Sequence, residues 1–385
     1  MLALSGPAFA LDKPAPWQEN LRKIAEERDG LSLRLAATLK ALHKRVETER
    51  PDLLPKLSTE PPKALPAGYG ILPRINPDPP EADAAKAPPS ERVYSLGMLS
   101  AWLSRESGEE ARLAAGVSSR KQALDALVDD YLLRAVNFRL IDLHVKYHDL
   151  WQPEIRRAPA AYAKANELFA AYRVWRSTSG EEAARARAKE RLEKELVSFY
   201  VYPWHRLEKS QDGSLVLRLP LMTDIEDEVF LSTLTAGVQH VWNDAAAMRR
   251  AHLRVELVLT RRSPAGLYPE GPPAHGAEID LSKHLMRFGP GFLLTTGAHT
   301  MHVLGGRAIV LGPAPITCHN IAHEVSHLLG FQDEYLRAFE GSPESSNGVV
   351  IHEVTPFPDN LLSNPGEGRV TEAMARRLIE TYGRQ

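Results

Sequence analysis

The chain has 385 residues, of which 43% are hydrophobic and 25% are charged, as in ordinary globular proteins. This length predicts two or three domains and excludes disorder throughout the chain. The 47 Lys and Arg residues nearly balance the 49 Asp and Glu residues, for a net charge of −2. The sequence therefore predicts no nucleic-acid partner and no anionic membrane surface as partner. With Cys318 as its single cysteine and 14 histidines, the chain has no intrachain disulfide and would bind a metal through nitrogen and oxygen.

The first ten residues are apolar and end in Ala8-Phe9-Ala10, a pattern typical of the end of a signal peptide. From this pattern we predict that residues 1–10 are a signal-peptide remnant and that the protein is exported, periplasmic or extracellular. We predict a remnant and not a whole signal peptide because the positively charged region that opens such a peptide is missing. The alternative is an irregular N-terminus on a cytoplasmic protein. No stretch reaches 18 apolar residues, so no membrane-spanning helix is predicted.

The chain before residue 206 is predicted to be mainly helical. Within residues 11–50, apolar residues recur at helical spacing over 17–49. Residues 51–90 hold 11 of the 29 prolines and predict an extended linker, because proline lacks a backbone donor and fixes φ. Residues 91–205 carry no catalytic motif and predict a helical domain that serves as a support, a prodomain or a partner-binding module. Its expected helices cover 118–151, 158–177 and 181–200.

The pattern changes after residue 205, and residues 206–385 predict a domain of strands and helices. Strands are expected where aliphatic residues run together or alternate with polar ones, at 214–221, 252–259, 277–282, 300–304 and 307–311. Helices are expected at 226–249, 316–329 and 371–382. This irregular order of elements is typical of an α+β domain and not of a regular doubly wound sheet.

One short motif in this half predicts chemistry, His-Glu-x-x-His. Residues four positions apart lie on one face of a helix, so His323 and His327 can bind one Zn²⁺ through their imidazoles. Glu324 is next round the helix and can act as general base on a metal-activated water. Gly330 is expected to end the helix in a left-handed conformation. Asp333 can then supply a third ligand and leave the fourth position to water, as in catalytic zinc sites.

The sequence around the motif fits this interpretation but leaves one choice open. Thr317 is the expected N-cap of the helix, and Pro313 and Pro315 stop the preceding strand. Glu334 is the alternative third ligand, because it adjoins Asp333.

Other polar residues near the motif are weaker candidates for a role in the site. His319 lies too far along the helix from His327 to share its metal, and it is expected to be a plain helix residue or to support a ligand. Cys318 is expected to be a small buried residue. Tyr335 could bond a ligand or stabilise an oxyanion, or it could only pack. His299 and His302 could line the cleft, and the His352-Glu353 pair is expected to be incidental.

The extended motif His-Glu-x-x-His-x-x-Gly-x-x-Asp resembles that of the metzincin zinc metalloproteases, whose final position is a histidine. The Asp variant and its GFQDEY continuation are most similar to the snapalysin-type secreted bacterial proteases. The resemblance covers roughly residues 213–385 and none of the first 200.

This resemblance implies roles for individual residues. It implies that His323, His327 and Asp333 are zinc ligands and that Glu324 is the general base. It also implies that the strand around His302–Leu311 is a sheet edge to which an extended peptide substrate adds.

The sequence departs from the family at the methionine turn, which lies beneath the zinc in metzincins. The best candidate here is 359–366, with Leu362 at the methionine position. Because Leu is similar in volume to Met, the site is expected to survive with altered packing. Met374 lies on a predicted helix and is a poor substitute.

Taken together, we predict an α+β protein with an N-terminal all-helical domain and a C-terminal zincin (metzincin-like) domain that contains a mixed sheet and an active-site helix. Its predicted function is that of a secreted zinc metalloendopeptidase acting on a protein or peptide. Two alternatives stay open: a catalytically degenerate zincin-fold binding or scaffold protein, and a zinc hydrolase of a non-peptide substrate.

Overall fold

The computed structural model describes residues 16–49, 51, 68–78, 91–115, 159–341 and 349–383. These residues fall into two compact units. The first unit is drawn from Met1–Lys63, Arg92–Glu167 and Arg337–Glu353, and the second from Ala64–Glu91, Leu168–Leu336 and Val354–Gln385. The signal peptide predicted at 1–10, most of the predicted linker and the helix predicted over 118–151 lie outside the described residues.

The first unit contains two long helices, α1 (Pro16–Glu49) and α2 (Leu96–Ala115). The prediction of a helix over 17–49 is confirmed. The two helices share one buried apolar cluster, as helices with an apolar stripe require, and its members are Leu21, Ile24, Leu31, Leu96, Leu99, Trp102 and Leu103.

A small sheet also forms here, in the order β10-β11-β2. Its strands are β2 (Glu91–Tyr94), β10 (Leu336–Gly341) and β11 (Val349–Val354). The prediction of an all-helical N-terminal domain is therefore wrong at 91–94. The reason is that β2 pairs with a strand from far along the chain, which no local pattern reveals.

Two further helices, α3 (Pro159–Arg176) and α4 (Glu182–Leu196), lie after residue 158. They confirm the helices predicted over 158–177 and 181–200, although α4 ends four residues earlier than predicted. Within the described helices, none combines the length and the apolarity that crossing a bilayer requires.

The second unit is built on a six-stranded mixed sheet. Its parallel strands lie in the order β5-β4-β6-β8, and β7 lies antiparallel at the edge beside β8. A short strand, β3, runs antiparallel to the first half of β4. The strands are β3 (Arg206–Lys209), β4 (Leu215–Thr223), β5 (Leu253–Arg261), β6 (Phe292–Thr296), β7 (His302–Leu304) and β8 (Ala308–Leu311).

Both faces of this sheet are buried. On one face, alternate residues of β4, β6 and β8 join a large core with α5 (Glu228–Asn243), α9 (Cys318–Leu329) and α10 (Glu372–Tyr382). On the other face the intervening residues form a smaller cluster with residues of α7 (Pro264–Leu267), of α8 (Leu281–Arg287) and with Tyr69. Burial on both faces is typical of parallel strands.

The structure confirms some of the strands and helices predicted for this unit and corrects others. Four of the five predicted strands are confirmed, but 277–282 is wrong, because Asp280 there caps α8 by accepting the Lys283 N–H. The helix predicted over 226–249 is broken at Asp244 and continues as α6 (Ala246–Arg250). Strand β9 (Ile316–Thr317) precedes α9 and pairs in parallel with β1 (Ile75–Asn76). The mixture of helices and several sheets agrees with the predicted α+β class.

Candidate metal centre

Helix α9, which carries the motif, has well-defined ends. At its start, the Thr317 hydroxyl accepts the Asn320 N–H (3.2 Å) and the Asn320 side chain accepts the Thr317 N–H (3.3 Å), a reciprocal capping box. At its end, Gly330 has φ 112°. A Cβ there would lie 2.1 Å from the carbonyl oxygen of Tyr200, so both the backbone and the close approach require glycine. The predicted cap residues are confirmed.

The two histidines of the motif face each other with ring centroids 4.8 Å apart. His323 Nδ1 lies 2.9 Å from the Leu361 carbonyl oxygen, and His327 Nδ1 lies 3.0 Å from the Phe331 carbonyl oxygen. Since a carbonyl oxygen can only accept, each Nδ1 carries a proton, and in the neutral form of each imidazole the lone pair is on Nε2. Metal-binding histidines usually donate one ring N–H to a carbonyl oxygen in this way, which orients the other ring nitrogen towards the metal.

Asp333 completes the group. Its Oδ1 lies 3.1 Å from His323 Nε2 and 3.4 Å from His327 Nε2, and all three ligand atoms lie within 4.8 Å of one another. Two ligand atoms bound to one tetrahedral zinc would lie roughly 3.3 Å apart. Oδ1 is buried beside these two nitrogens. Two imidazole nitrogens and a carboxylate oxygen that converge in this way can hold a metal cation in place of the protons they share without one.

The charge state of Asp333 agrees with this arrangement. Burial raises the pKa of its carboxyl group, but the hydrogen-bonding and charge of His323 and His327 outweigh burial and hold that pKa well below its usual range. The carboxylate is therefore ionised at neutral pH and can act as a ligand.

Glu324 lies on the same helix next to the first histidine. Burial raises the pKa of its carboxyl group, and the charges of His323, His327 and Asp333 act on it more weakly. These interactions place Glu324 within electrostatic reach of the whole group. A carboxylate with a raised pKa is the type of residue that serves as a general base.

The carboxylate of Glu334, the alternative third ligand, is hydrogen-bonded to Asn360 and not to the two histidines. Its Oε2 accepts a hydrogen bond from Asn360 Nδ2 at 2.7 Å, and its side chain is buried. Burial raises the pKa of its carboxyl group to about 7. The group of His323, His327 and Asp333 does not include it, so among the described residues the geometry favours Asp333.

The turn that contains Leu362 contacts the site through backbone groups. Leu362 is 1% exposed, and its carbonyl oxygen accepts the Glu334 N–H at 3.1 Å. Asn360 Oδ1 accepts the Leu362 N–H at 2.9 Å. The turn therefore holds both the His323 imidazole, through the Leu361 carbonyl, and the segment that carries Asp333.

Sequence reasoning missed Leu361 and Asn360. Leu361 acts through its backbone carbonyl, which every residue has, so no side-chain signal could have revealed it. Asn360 could have been found only as a polar residue beside the proposed turn.

The other candidates lie outside the group. The backbone N–H of His319 donates to Asp78 Oδ1 at 2.9 Å, and its ring lies beside the same carboxylate. Cys318 is half-buried, with its sulfur against Gly237. His352 lies 3.2 Å from Glu340 in the small sheet. Met374 is buried in the large core, His299 is exposed, and the role of Tyr335 stays a prediction.

Comparison of the chain with protein-family models, with curated proteins and with solved structures gives no match. The resemblance to metzincins therefore rests on the motif alone. The function is argued below from the residues of the site.

Proposed function

We propose that the chain is a zinc-dependent metalloendopeptidase of metzincin-like fold, with its catalytic machinery in the second unit. One observation carries the proposal: the Nε2 atoms of His323 and His327 converge with Oδ1 of Asp333, all within 4.8 Å of one another. Glu324 stands beside them on the same helix. Three protein ligands and one adjacent carboxylate are typical of catalytic zinc sites.

The residues of the site have separate tasks in this proposal. His323, His327 and Asp333 would hold zinc, which lowers the pKa of water and polarises a carbonyl group. Glu324 would accept the proton that water loses as its oxygen attacks the scissile carbonyl carbon. The same carboxyl group would then donate that proton to the leaving amine nitrogen. Its raised pKa favours this exchange because it lies closer to neutral pH than that of an exposed glutamate.

The edge strand β7 supports a peptide as substrate. Among the described residues β7 pairs only with β8, so its outer backbone groups are available to an extended chain. His302 is on β7 and lies close enough to Glu324 to lower the pKa of its carboxyl group. A peptide added to β7 would therefore pass near the proposed base.

Metal content and peptide cleavage test the proposal together. The full chain is purified as wild type, as His327→Ala and as His319→Ala, and zinc is measured by elemental mass spectrometry. We expect about one zinc per chain in wild type and in His319→Ala, and loss of zinc in His327→Ala. His319→Ala is the matched control because it removes an imidazole from the same helix outside the group.

Activity is then measured on a peptide library, with cleavage products identified by mass spectrometry. We expect Glu324→Gln to keep its zinc and to lose activity by roughly 10²–10⁴-fold. A fully active Glu324→Gln would overturn the mechanism. A wild type that binds zinc but cleaves no peptide would favour a non-peptide substrate, and a wild type without zinc would favour the scaffold alternative.

A further inference from the structure

A cavity lies at the carboxyl ends of β4 and β6. The chain passes from β4 to β5 on one side and later returns to β6 on the other side of β4. The gap between β4 and β6 is thus the point where the strand order reverses. In open sheets with parallel strands, ligands bind at this point, outside the carboxyl ends of the strands.

A buried polar network is built at this point. The Thr295 hydroxyl donates to Asp224 Oδ1 at 2.7 Å, so its oxygen must accept from His284 Nε2, 2.8 Å away. His284 Nδ1 in turn meets the Tyr268 hydroxyl. The side chains of Asp224 and His284 are 3% and 1% exposed. This chain of hydrogen bonds fixes the orientation of the Asp224 carboxylate through its Oδ1 atom.

The second oxygen of Asp224 lacks a donor. Oδ2 is buried and accepts no hydrogen bond from the described residues. It lies 3.4 Å from His284 Nε2, but the proton of that nitrogen is directed to Thr295. Burial, and after it the negative charge of Asp224 and a hydrogen bond between the two side chains, raise the pKa of the Tyr69 hydroxyl, so Tyr69 stays neutral and adds no charge. A buried carboxylate oxygen without a donor costs free energy unless a ligand supplies one.

Asp224 lines a cavity of about 360 Å³. Glu226 and Asp227 also line it, although Asp227 Oδ1 already accepts the Phe230 N–H as the N-cap of α5. Among the described lining residues there is no Lys or Arg. The rest of the wall is largely apolar, from Leu72, Ile225, Pro264, Pro272 and Pro273. The Gly70 N–H donates to Thr296 at 2.7 Å and holds the segment after Tyr69 against the end of β6.

We propose that this cavity binds a basic side chain, Lys or Arg, of a peptide or protein. The cationic group would donate to Asp224 Oδ2, and the aliphatic stem would lie along Leu72 and the proline walls. Glu226 would add to the attraction from the rim. None of the lining residues belongs to the metal centre, so this binding does not depend on the proposed zinc.

The test uses the full chain and two small probes that differ in one charge. N-acetyl-lysine methylamide and N-acetyl-norleucine methylamide are titrated separately, with binding followed by calorimetry and by ligand-observed NMR. We expect the lysine probe to bind at least about tenfold more tightly. Equal binding of the two probes, or no binding of either at millimolar concentration, would overturn the proposal.

Variants locate the binding. Asp224→Asn keeps an oxygen for Thr295 but removes the charge, and it should abolish the preference for lysine. Asp212→Asn is the matched control, because it makes the same change in the turn at the opposite end of β4, and it should leave the preference intact. If Asp224→Asn does not fold, Glu226→Gln at an exposed position replaces it, with an expected loss of about threefold. If a folded Asp224→Asn variant still preferred the lysine probe over the norleucine probe, the lysine probe would bind outside this cavity. The same conclusion would follow from an unchanged preference in Glu226→Gln, if that variant is used.

Discussion

The imidazole of His323 donates from Nδ1 to the carbonyl oxygen of Leu361 at 2.9 Å, and this bond joins helix α9 to a turn 38 residues later. It keeps a proton on Nδ1 and directs Nε2 of His323 at His327 and Asp333. The proposed metal affinity should consequently depend on residues that never touch the metal.

Asp333 and Glu334 are adjacent, but their carboxylates should have different effects on zinc. Asp333→Ala should raise the zinc Kd by more than about 100-fold, because it removes a proposed ligand, whereas outer partners of a ligand are worth roughly 10–100-fold. Glu334→Gln keeps an oxygen for Asn360 and should change the Kd by less than about tenfold. Competition with a chromogenic chelator measures both. The reverse order would move the third ligand to Glu334.

Asn360 should support the site from a distance. Asn360→Ala removes the bond to Glu334 and the bond from the Leu362 N–H, so we expect the zinc Kd to rise about tenfold and the free energy of unfolding to fall by about 1–3 kcal/mol.

Asn243→Ala is its matched control, because Asn243 bonds both the N–H and the carbonyl of Val255 in another part of the unit. It should lower the stability similarly and leave the zinc Kd unchanged. Chelator competition and urea unfolding of both variants give the comparison. Equal effects on zinc would show that Asn360 acts only through stability.

Leu362 tests the departure from the metzincin pattern. Leu362→Met preserves volume and should cost less than about 1.5 kcal/mol, with zinc content unchanged. Leu362→Ala leaves a cavity in the large core and should cost about 2–5 kcal/mol. Val229→Ala, at a 75% exposed position, is the control and should change stability by less than about 0.5 kcal/mol. Urea unfolding measures all three, and a harmless Leu362→Ala would contradict the packing role.

His205 should make stability pH-dependent. Burial lowers the pKa of its imidazole from 6.5 to about 4, and its Nε2 donates to the Leu328 carbonyl at 2.8 Å. Well above pH 6.5 the imidazole is neutral in both the folded and the unfolded state, and its contribution to stability is complete. As the pH falls from 6.5 to 4, only the unfolded chain takes up the proton, and about 3 kcal/mol is lost.

The variant His205→Phe isolates this effect from other acid-titrating groups. Between pH 7 and pH 4, its free energy of unfolding should fall by about 3 kcal/mol less than that of the wild type. Urea unfolding at a series of pH values gives the two curves. Parallel curves would mean that His205 titrates normally in the folded protein.

Local chemistry made much of the proposed active-site helix predictable from the sequence. The spacing of His323 and His327, the cap at Thr317 and the glycine at 330 depend on residues within one or two helical turns, so the sequence alone determined them. The same holds for the alternating strand at 252–259 and for α1. Each of these predictions rests on a backbone period or on a single φ value.

The tertiary structure decided what depends on distant partners. Strand β6 is buried on both faces and lacks alternation, so no strand was predicted there. The proposed choice of Asp333 over Glu334 depends on Asn360, which donates a hydrogen bond to the Glu334 carboxylate from a turn 26 residues away. Asp224, Thr295, His284 and Tyr268 come from separate elements and meet only because β4 and β6 are neighbours in the sheet. Sequence spacing determines which side chains share one helix face, whereas packing determines which separate elements meet.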